Sequence, residues 1–488
     1  MPRSTIPGTR DLVAGGSVII IYLIFHYILD QRGMFFVMTP LNHFWQILDP
    51  QWLQYDLPRS LVYLHSQPPI FNALVGIGLG LFNQNLDQAF HIFYQVLAVA
   101  ILILLYTNLR LLKVPWWLAW LLTMVWMVYP AFIYYQHFLF YPILVQFLLL
   151  LGLFALMRGA TGSFIFQTIF FATLSLLFLT RSTYNILFFA LTTLLVFLYK
   201  PLEWKRNSLA ALPGIIVILV FTLKNIFLFG QISTSSWLGM NLANVAQTGI
   251  SLEERQEMVS LGLVSEIVLT GPFNEISDYP ESLWKPAAEN CQGPDAFCQP
   301  FKQNNEPNLN FAGYIPISNQ FLKDDLAALH QYPDRVVKQL MMGWRIYFSP
   351  ALETVYVNTR SLAPIKSWMD VTDRFLCGNI SDIYNADPCY RMQLAYFGAI
   401  FLGVGGLMIR FRTKQAGVME KMGLLFIFLT LLYNLVVGIF FDLGENNRFR
   451  METDPLVVIV FGYGLYHLVR WILDQLSRIF RSSLPGIT

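Results

Sequence analysis

The chain has 488 residues, of which 55% are hydrophobic, 16% aromatic and only 13% charged. Because a soluble domain carries about 25% charged residues, this composition excludes an ordinary soluble globular protein. The formal net charge of +2 provides no basic footprint for nucleic acid, so no nucleic-acid partner is expected.

Ten apolar segments are each long enough to cross a hydrocarbon core about 30 Å thick. They predict an all-α polytopic membrane protein with about ten transmembrane helices. In chain order the predicted spans are 12–29, 88–109, 115–134, 138–157, 163–180, 182–199, 208–229, 392–409, 422–441 and 455–473. The apolar piece 70–82 is shorter and follows Pro68-Pro69, so we expect a juxtamembrane or buried helix there.

The distribution of Lys and Arg predicts how the chain is oriented. If 70–82 does not cross, the short connections on one side are rich in Lys and Arg and those on the other side are poor in them. Positively charged loops stay in the cytoplasm, so we expect both ends of the chain there. The predicted modules are an N-terminal transmembrane module (1–230) with a first outer loop (30–87), an extracytoplasmic domain of mixed structure (231–391) and a C-terminal transmembrane module (392–488).

The first outer loop contains the candidate catalytic residues. It includes the stretch LDPQWLQYDLPRSLVYLHSQPPIFN, in which Asp49 and Asp56 stand among apolar neighbours before a rigid Pro-Pro turn. A carboxylate held in a partly dry cleft can act as a general base, and Asp49 is the preferred candidate. Asp49-Pro50 also has the pattern of a helix start, which leaves a purely structural role open.

Aromatic, amide and imidazole side chains near predicted outer helix ends are candidates for binding a substrate. They lie in the first outer loop, in the turn YPAFIYYQHFLFYP and in the segment STSSWLGMNLAN. Such groups suit stacking on a sugar and hydrogen bonding to its hydroxyls, whereas structural histidines and interfacial aromatic belts are the alternatives. The candidates are His65, Gln67, His137, Tyr141, Trp237 and Asn241.

Basic residues at predicted outer helix ends are candidates for binding phosphate. An arginine placed there against the positive-inside trend is costly unless it snorkels or binds a partner, and its planar fork suits phosphate. The alternative is an interface anchor or an ion pair with a neighbouring carboxylate, namely Glu445, Glu452 or Asp454. The phosphate candidates are Arg448 and Arg450 in DLGENNRFRMETDP, Arg181 in FLTRSTYN, and Lys224.

All four cysteines fall in the polar insertion, and none lies in a predicted span. This placement indicates a disulfide-permissive compartment. We expect Cys291 to pair with Cys298 and Cys377 with Cys389, although three connectivities are possible. A zinc site is the competing interpretation, but the spacings match no standard zinc pattern.

Three segments resemble the GT-C class of integral-membrane glycosyltransferases, in particular the branch of protein O-mannosyltransferases and aminoarabinose transferases. They are SQPPIFNALVGIGLGLF, the span AFHIFYQVLAVAILILLYTNLRLL and the stretch NRFRMETDP. The resemblance covers about residues 12–230 and 392–473, and the insertion takes no part in it.

The resemblance implies roles for particular residues. An acidic residue of the first outer loop would be the base, which corresponds to Asp49 or Asp56, although the Asp-Glu pair common in the family is not present. The lipid phosphate would lie on Arg448 or Arg450, and Arg181 corresponds more loosely. Family members use polyprenyl-phosphate sugars as donors. They differ in their need for a divalent metal, so a metal cofactor stays open, and no ligand cluster stands out in the sequence.

These observations predict an inverting glycosyltransferase. It would move a sugar from a polyprenyl-phosphate donor to a glycan, lipid or protein acceptor on the extracytoplasmic face of a plasma or inner membrane. One alternative is a glycan ligase like the O-antigen ligases, which depends on outer arginines more than on a carboxylate. The other is a transporter of lipids or small molecules, for which polar or broken helices near the middle of the membrane are typical.

Overall fold

The computed structural model describes residues 8–199, 203–351, 359–378 and 389–482. Residues before the insertion form helices α1 (Thr9–Gln31), α2 (Pro40–His43), α3 (Pro50–Tyr55), α4 (Leu57–Val62), α5 (Pro69–Phe82), α6 (Leu86–Leu111), α7 (Trp116–Met127), α8 (Pro130–Gln136), α9 (Pro142–Ala160), α10 (Phe164–Thr180), α11 (Ile186–Tyr199) and α12 (Trp204–Phe229). Proline stands first in α2, α3, α5, α8 and α9. Its fixed φ and missing N–H suit the first turn of a helix, so these helices begin where the sequence places proline.

The insertion forms nine further helices in its described part. They are α13 (Leu238–Ala246), α14 (Leu252–Ser260), α15 (Ile267–Thr270), α16 (Glu281–Glu289), α17 (Asp295–Cys298), α18 (Tyr314–Gln331), α19 (Pro333–Tyr347), α20 (Thr359–Leu362) and α21 (Lys366–Cys377). The last three are α22 (Tyr390–Arg412), α23 (Val418–Phe440) and α24 (Asn446–Ser482).

The helices confirm an all-α protein in outline. Among the described residues, seven helices are long and apolar enough to cross a membrane: α1, α6, α9, α12, α22, α23 and α24. The pair α7 and α8 adds an eighth if it counts as one span, bent by 63°. Pro130 explains the bend, because proline ends the hydrogen-bonding of a helix before it. These helices indicate a multi-pass protein in contact with the bilayer.

The predicted count of about ten spans is not confirmed. All ten predicted segments are helical, but α10 and α11 have only 17 and 14 residues, which is short for a crossing helix. Helix α5, on the apolar piece 70–82, has 14 residues, in agreement with the expected short helix. The predicted mixed structure of the insertion is also not confirmed, because its described residues form helices and irregular segments with an isolated bridge between Phe301 and Pro307.

Close packing of α22 on α24 holds the C-terminal module together. A Cβ on Gly464 would overlap the backbone of Leu402, and Gly406 lies directly against Gly464. Small residues let two helix backbones approach where the hydrophobic effect gives no drive for association. The start of α24, which carries Arg448, is therefore held on a rigid support.

The cysteines pair as predicted. Disulfides join Cys291 to Cys298 and Cys377 to Cys389. The first joins the chain just after α16 to the end of α17, where the segment that contacts the first loop (residues 30–87) begins.

Residues 296–310 of the insertion bind the first loop. The side chain of Asn310 accepts hydrogen bonds from the backbone N–H groups of His65 (2.9 Å) and Ser66 (3.1 Å) and donates to the carbonyl of Tyr63 (3.2 Å). These bonds place the Ser-Gln-Pro-Pro turn against the insertion, where Gln67 reaches a cavity.

Candidate active site

A cavity of about 200 Å³ lies where the first loop, the insertion and the α23–α24 connection meet. It brings together six of the candidate residues, namely Gln67, Tyr141, Arg181, Trp237, Asn241 and Arg448. Its other lining residues are Trp45, Gln46, Ser182, Thr183, Asn244, Phe273, Asp442, Leu443, Glu445 and Phe449. Since these come from widely separated parts of the chain, the cavity exists only in the folded molecule.

A larger cavity of about 570 Å³ lies between α1 and α7. Its lining is dominated by Val13, Trp117, Trp120 and Leu121, and the described residues around it include no carboxylate or amide side chain. We therefore assign the site to the smaller polar cavity.

Two buried guanidinium groups form one wall of the polar cavity. Arg181 and Arg448 are only 3% and 2% exposed, and their Cζ atoms lie 4.8 Å and 5.7 Å from the centre of the Tyr141 ring. Arg181 pairs with Glu452, and Arg448 pairs with Glu445. The wall thus holds two fixed positive charges whose partners are carboxylates on the α23–α24 connection and α24.

Asp442 is the carboxylate at the centre of this electrostatic arrangement. Its pKa is raised to about 6, chiefly by burial and then by the nearby Glu445, while Arg448 and Arg181 oppose the shift. The side chain of Asn446 fixes this loop, since it donates to the carbonyls of Asp442 (2.7 Å) and Gly438 (2.6 Å). A carboxyl that titrates near neutrality in a fixed loop suits proton transfer.

Aromatic rings form another part of the cavity lining. Trp45 stacks on Phe273 with ring centres 5.7 Å apart, and Trp237 meets the same ring edge-on at 5.5 Å. Phe273 has a φ of 59°, which is unusual for a bulky residue. Strained backbone of this kind concentrates at functional sites. The amides of Asn241 and Gln67 line the same cavity and can both donate and accept hydrogen bonds.

The structure places Asp49 and Asp56 outside the cavity. Asp49 is buried, and its two oxygens accept backbone N–H bonds from Gln51 and Gln303, each at 2.8 Å. It is the N-cap of α3 with Pro50 at the first helical position, so the structural alternative accounts for its contacts. Asp56 pairs with Arg59 at 3.5 Å on the surface. Neither of these candidate bases lines the cavity with Arg181 and Arg448.

Two of the basic candidates also lie elsewhere. Arg450 is fully buried beside Asp454, and its guanidinium donates to the carbonyls of Tyr347 (3.1 Å) and Ser349 (3.0 Å). Lys224 donates to the carbonyl of Leu64 at 3.0 Å. The side chains of Arg450 and Lys224 thus bind backbone carbonyls and do not line the cavity. Arg181 and Arg448 remain as the phosphate candidates.

The two histidine candidates have structural contacts. His65 Nδ1 lies 2.6 Å from the Ser236 hydroxyl, and its Nε2 lies 2.8 Å from the carbonyl oxygen of Asn310. Burial lowers the pKa of His65 to about 3, so its ring is neutral and joins the first loop to the insertion. His137 Nδ1 lies 2.9 Å from the carbonyl oxygen of Ile133, away from the cavity.

Sequence reasoning missed Asp442, Trp45 and Phe273 as site residues. The position of Asp442 in the same short connection as Arg448 was a usable signal, because side chains of one short loop between two spans meet at the same membrane face. Nothing in the sequence around Phe273 indicates its role, since its contact with Trp45 joins segments far apart in the chain.

Comparisons of the chain with protein-family models, with curated proteins and with solved structures found no match. The proposed function therefore depends on the chemistry of the cavity.

Proposed function

We propose that this protein is an inverting glycosyltransferase that moves a sugar from a polyprenyl-phosphate donor to an acceptor at the extracytoplasmic face of the membrane. The observation that carries the proposal is the cavity in which Arg181, Arg448 and Asp442 line one space with aromatic and amide side chains. The proposal includes the ten-span arrangement with both ends in the cytoplasm, which puts this cavity at the outer end of the helices.

The donor phosphate binds between Arg181 and Arg448. Both guanidiniums are held against the Tyr141 ring, so they are oriented before the substrate arrives. Charge-assisted hydrogen bonds from arginine to phosphate are roughly twice as strong as neutral ones. As the glycosidic bond to phosphate breaks, negative charge grows on the leaving group, and fixed positive groups stabilise that transition state.

Asp442 acts as the general base in this mechanism. Its carboxylate takes the proton of the acceptor hydroxyl while the hydroxyl oxygen attacks the anomeric carbon from the face opposite the phosphate. The attack forms the new glycosidic bond, breaks the bond to phosphate and inverts the anomeric centre. A pKa of about 6 leaves the group ionised at neutral pH and still basic enough to accept a proton. This assignment replaces Asp49 and Asp56.

The rings of Trp45, Phe273 and Trp237 provide an apolar surface for the sugar, and the amides of Asn241 and Gln67 bind its hydroxyls. Binding pockets combine an apolar lining with a few placed polar groups in this way. The acceptor, which is a glycan, a lipid or a protein, approaches from the insertion.

The test is a transfer assay on the full chain in lipid nanodiscs. Radiolabelled polyprenyl-phosphate hexoses and pentoses serve as donors, a membrane glycolipid extract serves as acceptor, and both the glycosylated product and the released polyprenyl phosphate are measured. Asp442→Asn should lower kcat about 10²–10⁴-fold, and Arg448→Ala about 10²–10³-fold. The wild-type rate should rise as the pH passes about 6 and then level off, because only the ionised Asp442 accepts the proton.

Asp56→Asn is the matched control, since it makes the same chemical change on the surface and should leave the rate unchanged. If Asp442→Asn keeps the full rate while Arg448→Ala loses most of it, Asp442 is not the general base. That outcome would favour the ligase alternative. Movement of the lipid-linked sugar across the membrane without a new glycosidic bond would contradict any transferase.

A further inference from the structure

A second polar cluster lies at the ends of α1 and α6, separate from the cavity. The ligand atoms of Asp30, His91 and His137 all lie within 4.8 Å of one another. One carboxylate oxygen of Asp30 is 3.9 Å from Nε2 of His91 and also 3.9 Å from Nε2 of His137. The ring of His26, one turn before Asp30 in α1, stacks on His137 at 5.3 Å. Three of the seven histidines therefore gather at one point.

His137 is held in the orientation of a metal ligand. Its Nδ1 lies 2.9 Å from the carbonyl oxygen of Ile133, so the proton resides on Nδ1 and the lone pair on Nε2 points into the cluster. Metal-binding histidines are fixed by this kind of hydrogen bond on the other ring nitrogen. The side chain is only 1% exposed. Within the described part of the chain its Nε2 has no hydrogen-bond partner, and neither has the buried Nε2 of His26.

An unpaired buried nitrogen costs free energy comparable to a lost hydrogen bond, and a cation would remove that cost at His137. We propose that Asp30, His91 and His137 bind a zinc ion, with His26 or a water molecule in the fourth position. Imidazole nitrogens with one carboxylate are a ligand set that Zn²⁺ accepts, whereas Ca²⁺ and Mg²⁺ require mostly oxygen ligands.

The geometry needs only a small adjustment to accept zinc. Bonds of about 2.0–2.1 Å in a tetrahedral site put ligand atoms roughly 3.3 Å apart, so the 3.9 Å separations from Asp30 shorten slightly on binding. Gln95, whose Nε2 lies 3.0 Å from Nε2 of His91, turns aside in the bound state.

The ion would join three segments that lead to the cavity. The backbone carbonyl of His137 accepts a hydrogen bond from the N–H of Val37 (2.7 Å), and the N–H of Leu139 donates to the carbonyl of Val37 (3.1 Å). These bonds tie the start of the first loop to the segment that carries Tyr141. The zinc therefore has a structural role, and the inference does not depend on the proposed transferase activity.

The test measures zinc binding to the full chain in detergent after removal of any purification tag. The protein is stripped with a chelator, equilibrated with Zn²⁺ alone, dialysed and analysed for bound metal. We expect one zinc per chain. Asp30→Asn and His91→Ala should each weaken binding at least about 10-fold, and the double variant should bind none. His330→Ala, which removes an exposed histidine of α18, should bind as the wild type does.

Thermal unfolding with and without Zn²⁺ shows that the variants are folded. The ion should raise the Tm of the wild type and of His330→Ala and leave that of the double variant unchanged. Because Asp30 is 40% exposed, Asp30→Asn keeps the packing and remains informative if His91→Ala unfolds. The inference is overturned if the stripped wild type takes up no zinc, or if Asp30→Asn binds zinc as tightly as the wild type. Glycosyl transfer is not part of this measurement, so the two proposals can fail separately.

Discussion

At the residue scale, direction along a helix decides which charged group lines the candidate cavity. Arg448 and Arg450 are two positions apart in α24, so their side chains leave the helix in directions about 200° apart. Arg448 lies against Tyr141 at the cavity, whereas Arg450 donates to the carbonyls of Tyr347 and Ser349. Both residues are arginines of the same helix turn. Only their contacts in the folded protein distinguish Arg448, a candidate for binding phosphate, from Arg450, a structural residue.

Asp325 of α18 illustrates the cost of a buried carboxyl. Its Oδ1 accepts a hydrogen bond from Gln247 at 2.5 Å, while among the described residues its Oδ2 has no partner. Its pKa is raised to about 8, chiefly by burial; the hydrogen bond from Gln247 opposes the shift and the nearby Asp324 adds to it. The folded state therefore holds this proton more tightly than the unfolded state does.

The sign of the pH dependence follows from that shift. The folded pKa lies above the unfolded value of 3.8, so the stabilisation from the protonated group is complete below about pH 4 and is lost as the pH rises through about 8. Asp325→Asn keeps the shape without the charge and should be more stable than the wild type at pH 8, by about 1–3 kcal/mol, with little difference at pH 4. Chemical denaturation at the two pH values measures this, with the exposed Asp334→Asn as control. A variant less stable than the wild type at pH 8 would contradict the assignment.

At the element scale, hydrogen bonds from the segment 296–310 hold the first loop at two points. Lys302 donates to the carbonyls of Phe44 (2.9 Å) and Ile47 (2.8 Å), and Asn310 binds the backbone at His65 and Ser66. The short helices α3 and α4 lie between these two points. Hydrogen bonds from the insertion therefore anchor the chain on both sides of these two helices.

Asn310→Ala should loosen this attachment. The change leaves the buried N–H groups of His65 and Ser66 without their acceptor, at a cost of about 1–3 kcal/mol each. Hydrogen exchange followed by mass spectrometry should show lost protection in residues 57–67, with little change in α9 or α23. Asn304→Ala is the matched control, because Asn304 is exposed and donates to Asn42 at the edge of the same segment. Equal protection of residues 57–67 in the two variants would show that Asn310 does not hold the loop.

At the scale of the whole molecule, the apolar helices and the polar insertion form two regions, and the cavity lies between them. The long-range ion pair of Arg181 with Glu452 joins residues 271 positions apart in sequence. It connects the end of α10 to the start of α24 at the cavity wall. The site is thus assembled by the packing of the N-terminal and C-terminal modules against each other.

The proposed orientation predicts which surfaces a membrane-impermeant thiol reagent can reach. Glu253→Cys, in the insertion, should be labelled in intact cells. Thr161→Cys, in the α9–α10 connection, should be labelled only after the membrane is permeabilised. Both positions are exposed, and the four native cysteines are in disulfides, so the new thiols alone should react. The reverse pattern would overturn the orientation and with it the extracytoplasmic site.

The sequence by itself determined the helical membrane architecture and the short helix at 70–82, and it favoured the disulfide pairing that the structure has among the three possible ones. These features depend on local properties, because apolar length, proline position and cysteine spacing act within one segment. Several candidate residues at the cavity, such as Arg181 and Arg448, were also predictable, since a basic residue at an outer helix end is costly without a partner.

Only the tertiary structure decided which carboxylate belongs to the site. The contacts of Asp49 and Asp442 are made with groups distant in sequence, namely the backbone of Gln303 for Asp49 and the Arg181 charge for Asp442. Burial and pairing set the protonation of a carboxyl, and both are properties of the folded surroundings rather than of neighbouring residues. For the same reason the cluster of Asp30, His91 and His137 became visible only when α1, α6 and the end of α8 were brought together.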